Sequence, residues 1–290
     1  MSITTADISK LRTSTGAGMM DCKNALEEAG GDMEKAADIL RKKGIVKAAK
    51  RADKVASEGK VASYITPDAK IGAIVEINSE TDFASKSEDF VTFASAVAET
   101  IVKDNPTDVV ALSTLMLSTG KTVADAISDL TIKIGEKISI RRFVRYESTG
   151  TVVSYLHGAK IGILVDMEGG DKELGMDVAM QIAAANPKSV GREGVDATLI
   201  EKEREIFAEQ LRQQGKPENI IENILKGKMD KFYGEVCLLE QPFIKNEEIT
   251  IQKLVEDKGA KVNRFVRYEL GEGIEKQEKD FAAEVAEQMQ

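Results

Sequence analysis

At 290 residues, with 42% hydrophobic and 31% charged side chains, the chain has the composition of an ordinary folded protein, long enough for two domains or for one with appendages. A formal net charge of −9 argues against a dedicated nucleic-acid binder and against an anionic membrane surface as partner, since both draw basic proteins. Cys22 and Cys237 stand alone, without a Cys-x-x-Cys pattern or a nearby His, so neither a zinc site nor a disulfide framework is suggested.

Aromatics at 5% and the absence of Trp leave the cores to Ile, Val, Leu and Ala. No apolar run approaches the roughly 20 residues of a membrane span. The start, Met1-Ser2-Ile3-Thr4-Thr5-Ala6-Asp7, lacks the basic and apolar regions of a signal peptide. With two reduced thiols, the expected location is the cytoplasm.

Residues 5–44 read as three short helices. Thr4 or Thr5 serves as N-cap with Asp7 in the first turn, and Ile8 and Leu11 give one apolar face. Gly16-Ala17-Gly18 and Gly30-Gly31-Asp32 break the run, Asp32 caps the third helix, and Gly44 is expected to close it. Of the adjacent Met19 and Met20, one is expected to face solvent, because a single helix cannot turn both inward. From Arg41 to Lys54 seven basic residues oppose one Asp, which reads as a solvated helical linker or as a basic patch for phosphate.

From Gly59 the chain repeats itself. Gly59-Lys60-Val61-Ala62-Ser63-Tyr64 is echoed by Gly150-Thr151-Val152-Val153-Ser154-Tyr155, and Ala69-Lys70-Ile71-Gly72 by Ala159-Lys160-Ile161-Gly162. Val61–Thr66 and Ile71–Ile77 form predicted paired strands with Pro67-Asp68 at the turn. A helix carrying Phe90, Phe93, Val97 and Ile101 then stops at Asn105-Pro106, and its counterpart with Val178 and Ile182 stops at Asn186-Pro187. Arg142-Phe143-Val144-Arg145-Tyr146-Glu147 returns unchanged as residues 264–269. Each half is therefore strand, strand, helix, an interval and a final strand, an α+β unit with helices on an antiparallel sheet.

The second interval holds a polar helix from Val195 to Gln214 with a thin stripe of Ile200, Phe207 and Leu211. After Gly215-Lys216 comes Pro217 at a first helical position, then a return helix with Ile220, Ile221, Ile224, Leu225 and Met229. This predicts a protruding helical hairpin of coiled-coil type. Gly271–Gln290 carries Ile274, Phe281, Val285 and Met289 on one stripe, a helix that docks on its own domain or on a second protein.

Catalytic patterns fail on inspection. Ser118-Thr119-Gly120-Lys121-Thr122 imitates a phosphate-binding loop but has Leu115 where the pattern needs Gly. Gly16-x-Gly18 follows no strand, and His157, the only histidine, excludes two-His metal or acid–base sites and otherwise reads as a turn residue. No Ser sits on a nucleophile elbow. The chain is not expected to be an enzyme or to need a cofactor. The two copies diverge after the shared strand, where only the first continues into Glu76-Ile77-Asn78-Ser79-Glu80-Thr81-Asp82-Phe83. Two readings of Thr81-Asp82-Phe83 stand: a capped helix start with Phe83 stapled to the sheet, or a binding tip that presents a carboxylate and a ring.

Thr15–Lys23 (Thr-Gly-Ala-Gly-Met-Met-Asp-Cys-Lys) and Glu76–Phe83 resemble the two signature segments of the bacterial translation elongation factor Ts family. Lys228–Val236 and Gln241-Pro242-Phe243 resemble it too, and the likeness runs from the first helix to Lys276. The resemblance implies a ubiquitin-associated-like three-helix module over 1–54, core subdomains over 55–147 and 148–270 with a coiled-coil hairpin inserted at about 195–232, and a C-terminal helical module over 271–290. It implies guanine-nucleotide exchange on elongation factor Tu, with Thr81, Asp82, Phe83 and Ala84 displacing the partner's Mg²⁺ contacts. Arg12, Met19, Met20 and His157 become further partner contacts, the hairpin a route to a higher-order complex, and no direct nucleic-acid or membrane contact is implied. Ala84 departs from the family's usual Val and trims the tip. Two other functions explain less of the chain. An RNA adaptor built on Arg41–Lys54 would show steep salt dependence; a helix-binding scaffold on residues 1–54 would capture a partner other than a GTPase.

Overall fold

The computed structural model describes residues 3–50 and 54–275. Among these the fold is α+β, with helices set against small sheets. Three helices come first: α1 (Thr5–Thr15), α2 (Met19–Glu28) and α3 (Met33–Lys50). Thr4 starts α1 through a reciprocal capping box, its hydroxyl accepting from the Asp7 N–H at 3.2 Å while the Asp7 carboxylate accepts from the Thr4 N–H at 3.0 Å. Asp32 starts α3 by accepting from the N–H groups of Glu34 and Lys35. Leu11, Cys22, Ala25, Leu26, Ala36 and Leu40 fill the small core between the three.

Gly44 does not close α3, which runs on to Lys50. A Cβ added at Gly44 would lie 1.9 Å from Ile132 Cδ1, so the glycine marks a close approach to a later helix rather than a helix end. The basic run is not a bare patch either: Arg41 pairs with Asp125, and Lys43 with Glu28 at 2.5 Å. Its residues 51–53 lie outside the described part, as do residues 276–290 of the predicted C-terminal helix, with Phe281, Val285 and Met289; its first residues, 271–275 with Ile274, form a turn and irregular chain instead of helix.

The first half continues with β1 (Glu58–Ile65) and β2 (Ile71–Ser79), then α4 (Asp82–Lys86), α5 (Glu88–Asp104), α6 (Val109–Thr114) and α7 (Val123–Ile134), and ends in β3 (Ser139–Glu147). The second half repeats the plan with β4 (Thr151–His157), β5 (Ile161–Glu168) and α8 (Lys172–Ala185). The long helices α9 (Ala197–Gln213) and α10 (Glu218–Val236) follow, then β6 (Pro242–Phe243), β7 (Asn246–Thr250), α11 (Ile251–Asp257) and β8 (Lys261–Glu269). The sheets run β1-β2-β3 and β4-β5-β8, so in each the last strand returns beside the second, as the repeat predicts. β4 and β5 are antiparallel, with Val153 opposite Val165. The central strands β2 and β5 are buried along almost their whole length, which accounts for the apolar runs Ile71–Val75 and Ile161–Val165. Both helices expected to stop at Asn-Pro do so, with Asn105 and Asn186 in the left-handed region at φ 49° and 47°.

The chain forms two compact units. The first takes the described residues up to Ala62, Val75–Phe143 and those from Glu269 on; the second takes Ser63–Ile74 and Val144–Tyr268, so the division falls within β1, β2 and β3. In the second unit the copies meet at matching positions: Ser63 Oγ donates to Ser154 Oγ at 3.1 Å. A Cβ on Gly72 there would lie 2.4 Å from Ile65 Cδ1 and 2.8 Å from Val152 Cγ1, so a larger residue would force these side chains to shift. The core of this unit gathers Ile163, Val165, Val178, Ile182, Leu238 and Ile251.

The hairpin helices pack on each other through buried Leu211, Ile221 and Leu225, and Val195, Phe232 and Cys237 make a second core at their base. Two expectations shift. Pro217 is the N-cap of α10, not its first helical residue, and Ile220 is exposed rather than in the seam, because its neighbour Ile221 takes the inward position. Among the described residues no helix is long and apolar enough to cross a membrane.

Candidate functional site

Where β2 ends, the chain turns sharply into α4, and the capped-helix reading of Thr81-Asp82-Phe83 holds for the cap but not for the staple. Thr81 is the N-cap, its hydroxyl accepting from the Ala84 N–H at 3.4 Å. Phe83 is no staple: it is 80% exposed, on a helix of a single turn whose inward positions go to Ala84 and Ser85. Ala84 is therefore beneath the tip rather than part of its surface, and a small residue suits that buried place. Asp82 pairs with Lys86 one turn on at 2.6 Å, and the Lys86 ammonium stands 5.7 Å from the Phe83 ring centroid. The tip thus offers an apolar ring beside a carboxylate already matched by a cation.

Two glutamates brace this tip from below. The Glu136 carboxylate, in the loop between α7 and β3, accepts from the Thr81 N–H at 2.8 Å and from the Thr81 hydroxyl at 2.7 Å. In return, Glu80 accepts from the Lys137 N–H at 2.7 Å. Ser79 donates to the Thr81 carbonyl at 2.8 Å and fixes the turn from within. The Lys86 partnership is legible as an i, i+4 spacing, whereas nothing in the sequence links Thr81 to a residue 55 positions later.

Further down β2 lies a buried carboxylate that sequence reasoning did not single out. Glu76, wholly inaccessible, accepts from Arg141 Nη1 at 3.0 Å, Arg142 Nε at 2.7 Å, the Gly271 N–H at 2.9 Å and Asn78 Nδ2 at 3.2 Å. Burial pushes its carboxyl up, but the Gly271 N–H and the two guanidiniums outweigh this and hold it below the ordinary value of 4.5. The second half repeats the arrangement, with buried Asp166 on β5 accepting from Arg264 Nε at 2.9 Å and Ser148 Oγ at 2.5 Å. Laying the repeats over each other matches Glu76 with Asp166 and Arg142 with Arg264, and that was the available signal.

The remaining predicted contacts lie elsewhere. Arg12 is exposed in the last turn of α1, and Met19 and Met20 open α2 at 60% and 65% exposure. Both methionines face out, not one, because Cys22, Ala25 and Leu26 already occupy the inner face of α2. Arg12 also edges a cleft of about 880 Å³ with Arg41, Phe93, Met116, Lys121 and Asp125. The phosphate-loop imitation lies on its wall, but Lys121 pairs with Asp129 at 2.5 Å and Thr122 caps α7. His157, in the second unit, is the last residue of β4 rather than a turn residue, with its Nδ1 3.0 Å from the Tyr155 hydroxyl. Thr81 to Ala84 therefore share one turn, while Arg12 lies on α1 and Met19 and Met20 on α2 of the same unit. No group of three His, Cys, Asp or Glu able to hold a metal ion occurs among the described residues.

The family described as Elongation factor TS matches residues 80–272. Elongation factor Ts of Alkalilimnicola ehrlichii is 48% identical over 289 residues, covering 99% of each chain. Those of Azoarcus sp. and Halothermothrix orenii are 51% and 47% identical, over 99% and 100% of this chain and 96% and 99% of theirs. On the family match and on identities near one half along the whole length, the chain belongs to the elongation factor Ts family.

Proposed function

We propose that the chain binds elongation factor Tu in its GDP form and promotes GDP release during translation elongation, acting by binding rather than by covalent chemistry. The observation that carries this reading is Phe83, a large ring held in water at the end of a braced strand, in a chain of the elongation factor Ts family. A solvent-held ring contributes nothing to its own fold and gains on entering a partner. A GTPase grips its nucleotide through Mg²⁺ and a phosphate-cradling loop. A ligand that prefers the empty GTPase weakens nucleotide binding by the same factor by which nucleotide weakens it.

Burying Phe83 in a pocket would contribute about 1.5–3 kcal/mol, a shift of about tenfold to a hundredfold. Efficient exchange asks for more, so a broad interface is required. In this reading Asp82 and Phe83 act at the partner's Mg²⁺ region, and Arg12, Met19, Met20 and His157 extend the contact. Residues 1–54 serve as a ubiquitin-associated-like module, α9 and α10 as a coiled-coil arm toward a higher-order complex, and residues 271–290 as a C-terminal module. The test is the release of labelled GDP from purified elongation factor Tu with and without the full chain. A rate unchanged by catalytic amounts of the chain refutes the proposal.

A further inference from the structure

The bracing of Thr81 by Glu136 joins the tip to a loop 55 positions later. Both carboxylate oxygens of Glu136 are spent on one residue, Thr81 Oγ1 at 2.7 Å and Thr81 N at 2.8 Å. That residue is the N-cap of a five-residue helix, too short to hold itself together by its own hydrogen bonds. Helix α4 is the carrier of Phe83, and the ring, at 80% exposure, has little packing of its own to fix it. The Glu80 acceptance from the Lys137 N–H, at 2.7 Å, ties the same two loops in the opposite sense, so the residues before the tip and those before β3 cannot slide past each other. An exposed ring on an untethered single turn would sample many directions, and ordering it on contact would subtract from the gain of burying it.

We infer that Glu136 is a positioning residue: it presets the direction of the Phe83 ring by gripping Thr81 from beneath, without itself meeting a partner. The inference rests on the exchange reading above for its functional consequence, and on the Thr81 geometry for its structural one. The two can be read apart because the chain contains no Trp, so Phe83→Trp places a single indole reporter at the tip.

In the free, full-length Phe83→Trp protein, Glu136→Ala should lower the steady-state fluorescence anisotropy of that indole. Glu136→Gln should restore most of it, since an amide can accept from the Thr81 N–H and donate to the Thr81 hydroxyl oxygen. In the chain with its native Phe83, Glu136→Ala should slow catalysed release of labelled GDP from elongation factor Tu by about tenfold, the size of one charged hydrogen bond's worth of lost pre-organisation. In a Phe83→Ala background the same substitution should add nothing, because the ring it aims is gone. Anisotropy unmoved by Glu136→Ala overturns the inference, and so do losses that multiply in the double variant. If Glu136→Ala fails to fold, Glu136→Gln carries the same cycle with a smaller effect. Should Phe83→Ala leave GDP release unchanged, the binding-tip reading falls, and the anisotropy alone then decides whether Glu136 aims the tip.

Discussion

Replacing Glu76 by Gln tests the buried network most sharply, because the side chain keeps its shape and loses only its charge and half its acceptors. Glu76 receives four donors: two guanidiniums, the Gly271 N–H and Asn78 Nδ2. Three of them meet Oε1 and Arg142 Nε alone meets Oε2, so an amide with its oxygen in the Oε1 place turns its NH₂ toward the Arg142 guanidinium, whose Nε loses this acceptor. A buried donor left unpaired costs about 1–3 kcal/mol, and breaking one side of a buried ion pair about 3–5 kcal/mol. The guanidinium side chains, 29% and 31% exposed, can recover some hydration, which places the loss near the low end, at about 3 kcal/mol. Urea unfolding of the full chain at pH 7, followed by far-ultraviolet circular dichroism, measures this as a lowered midpoint at unchanged slope. The pH dependence carries an independent check. The folded carboxyl lies below 4.5, so its contribution is complete above that value and is lost as pH falls through the folded value. The stability gap between wild type and Glu76→Gln should therefore be flat from neutral pH down to about 4.5 and shrink below it. A gap under about 0.5 kcal/mol at pH 7, the size of an ordinary surface substitution, would refute the reasoning, as would one that persists undiminished into acid.

Phe83→Ala should leave the thermal midpoint unchanged, because the ring is solvated, while slowing catalysed GDP release about tenfold to a hundredfold; a collapsed midpoint in a melting curve would contradict the exposed geometry. Gly44→Ala should destabilise the chain by about 1–3 kcal/mol through collision with Ile132, outweighing the gain of about 1 kcal/mol in helix propensity, as read by urea midpoint. Removing residues 203–226 and closing the gap with a short Gly-rich link should leave the rest folded by circular dichroism, since Val195, Phe232 and Cys237 at the hairpin base remain. Sedimentation of the complex with elongation factor Tu should then report loss of any higher-order form, with GDP release retained.

The duplicated plan was legible because both signals it needs are local or repeated: apolar periodicity within each element, and the return of Arg142–Glu147 as residues 264–269. The Asn105 and Asn186 stops were legible for the same reason. Gly44 misled because a glycine near a helix end and a glycine at a helix contact look alike until the partner, Ile132, is known. The tip was half legible. Thr81 as a cap follows from residue type, but whether Phe83 turns in or out depends on what the sheet leaves uncovered, and here Ala84 and Ser85 fill that space. Glu136 and Glu80 stayed hidden because their partners lie 55 and 57 positions away. For Met19 and Met20, helix geometry says only that both cannot face inward; that both face out follows from Cys22, Ala25 and Leu26 filling the inner face of α2.

The paired carboxylates also set an order of completion as the chain is synthesised. N-terminal segments emerge first, and β3 follows β2 after four helices, so the first sheet can close, and Glu76 meet Arg141 and Arg142, while the second half is still unmade. The second sheet has to wait: β5 pairs with β8, and everything from α8 to α11 comes between. Until then β5 carries an open edge and Asp166 lacks Arg264. Glu76 is itself unfinished until Gly271 arrives to donate its N–H. One short stretch, Arg264 to Gly271, therefore delivers the closing donor to both buried carboxylates. A chain released before that stretch would lack most of β8 and have neither anchor complete, so the fold locks only once residues 264–271 have been made.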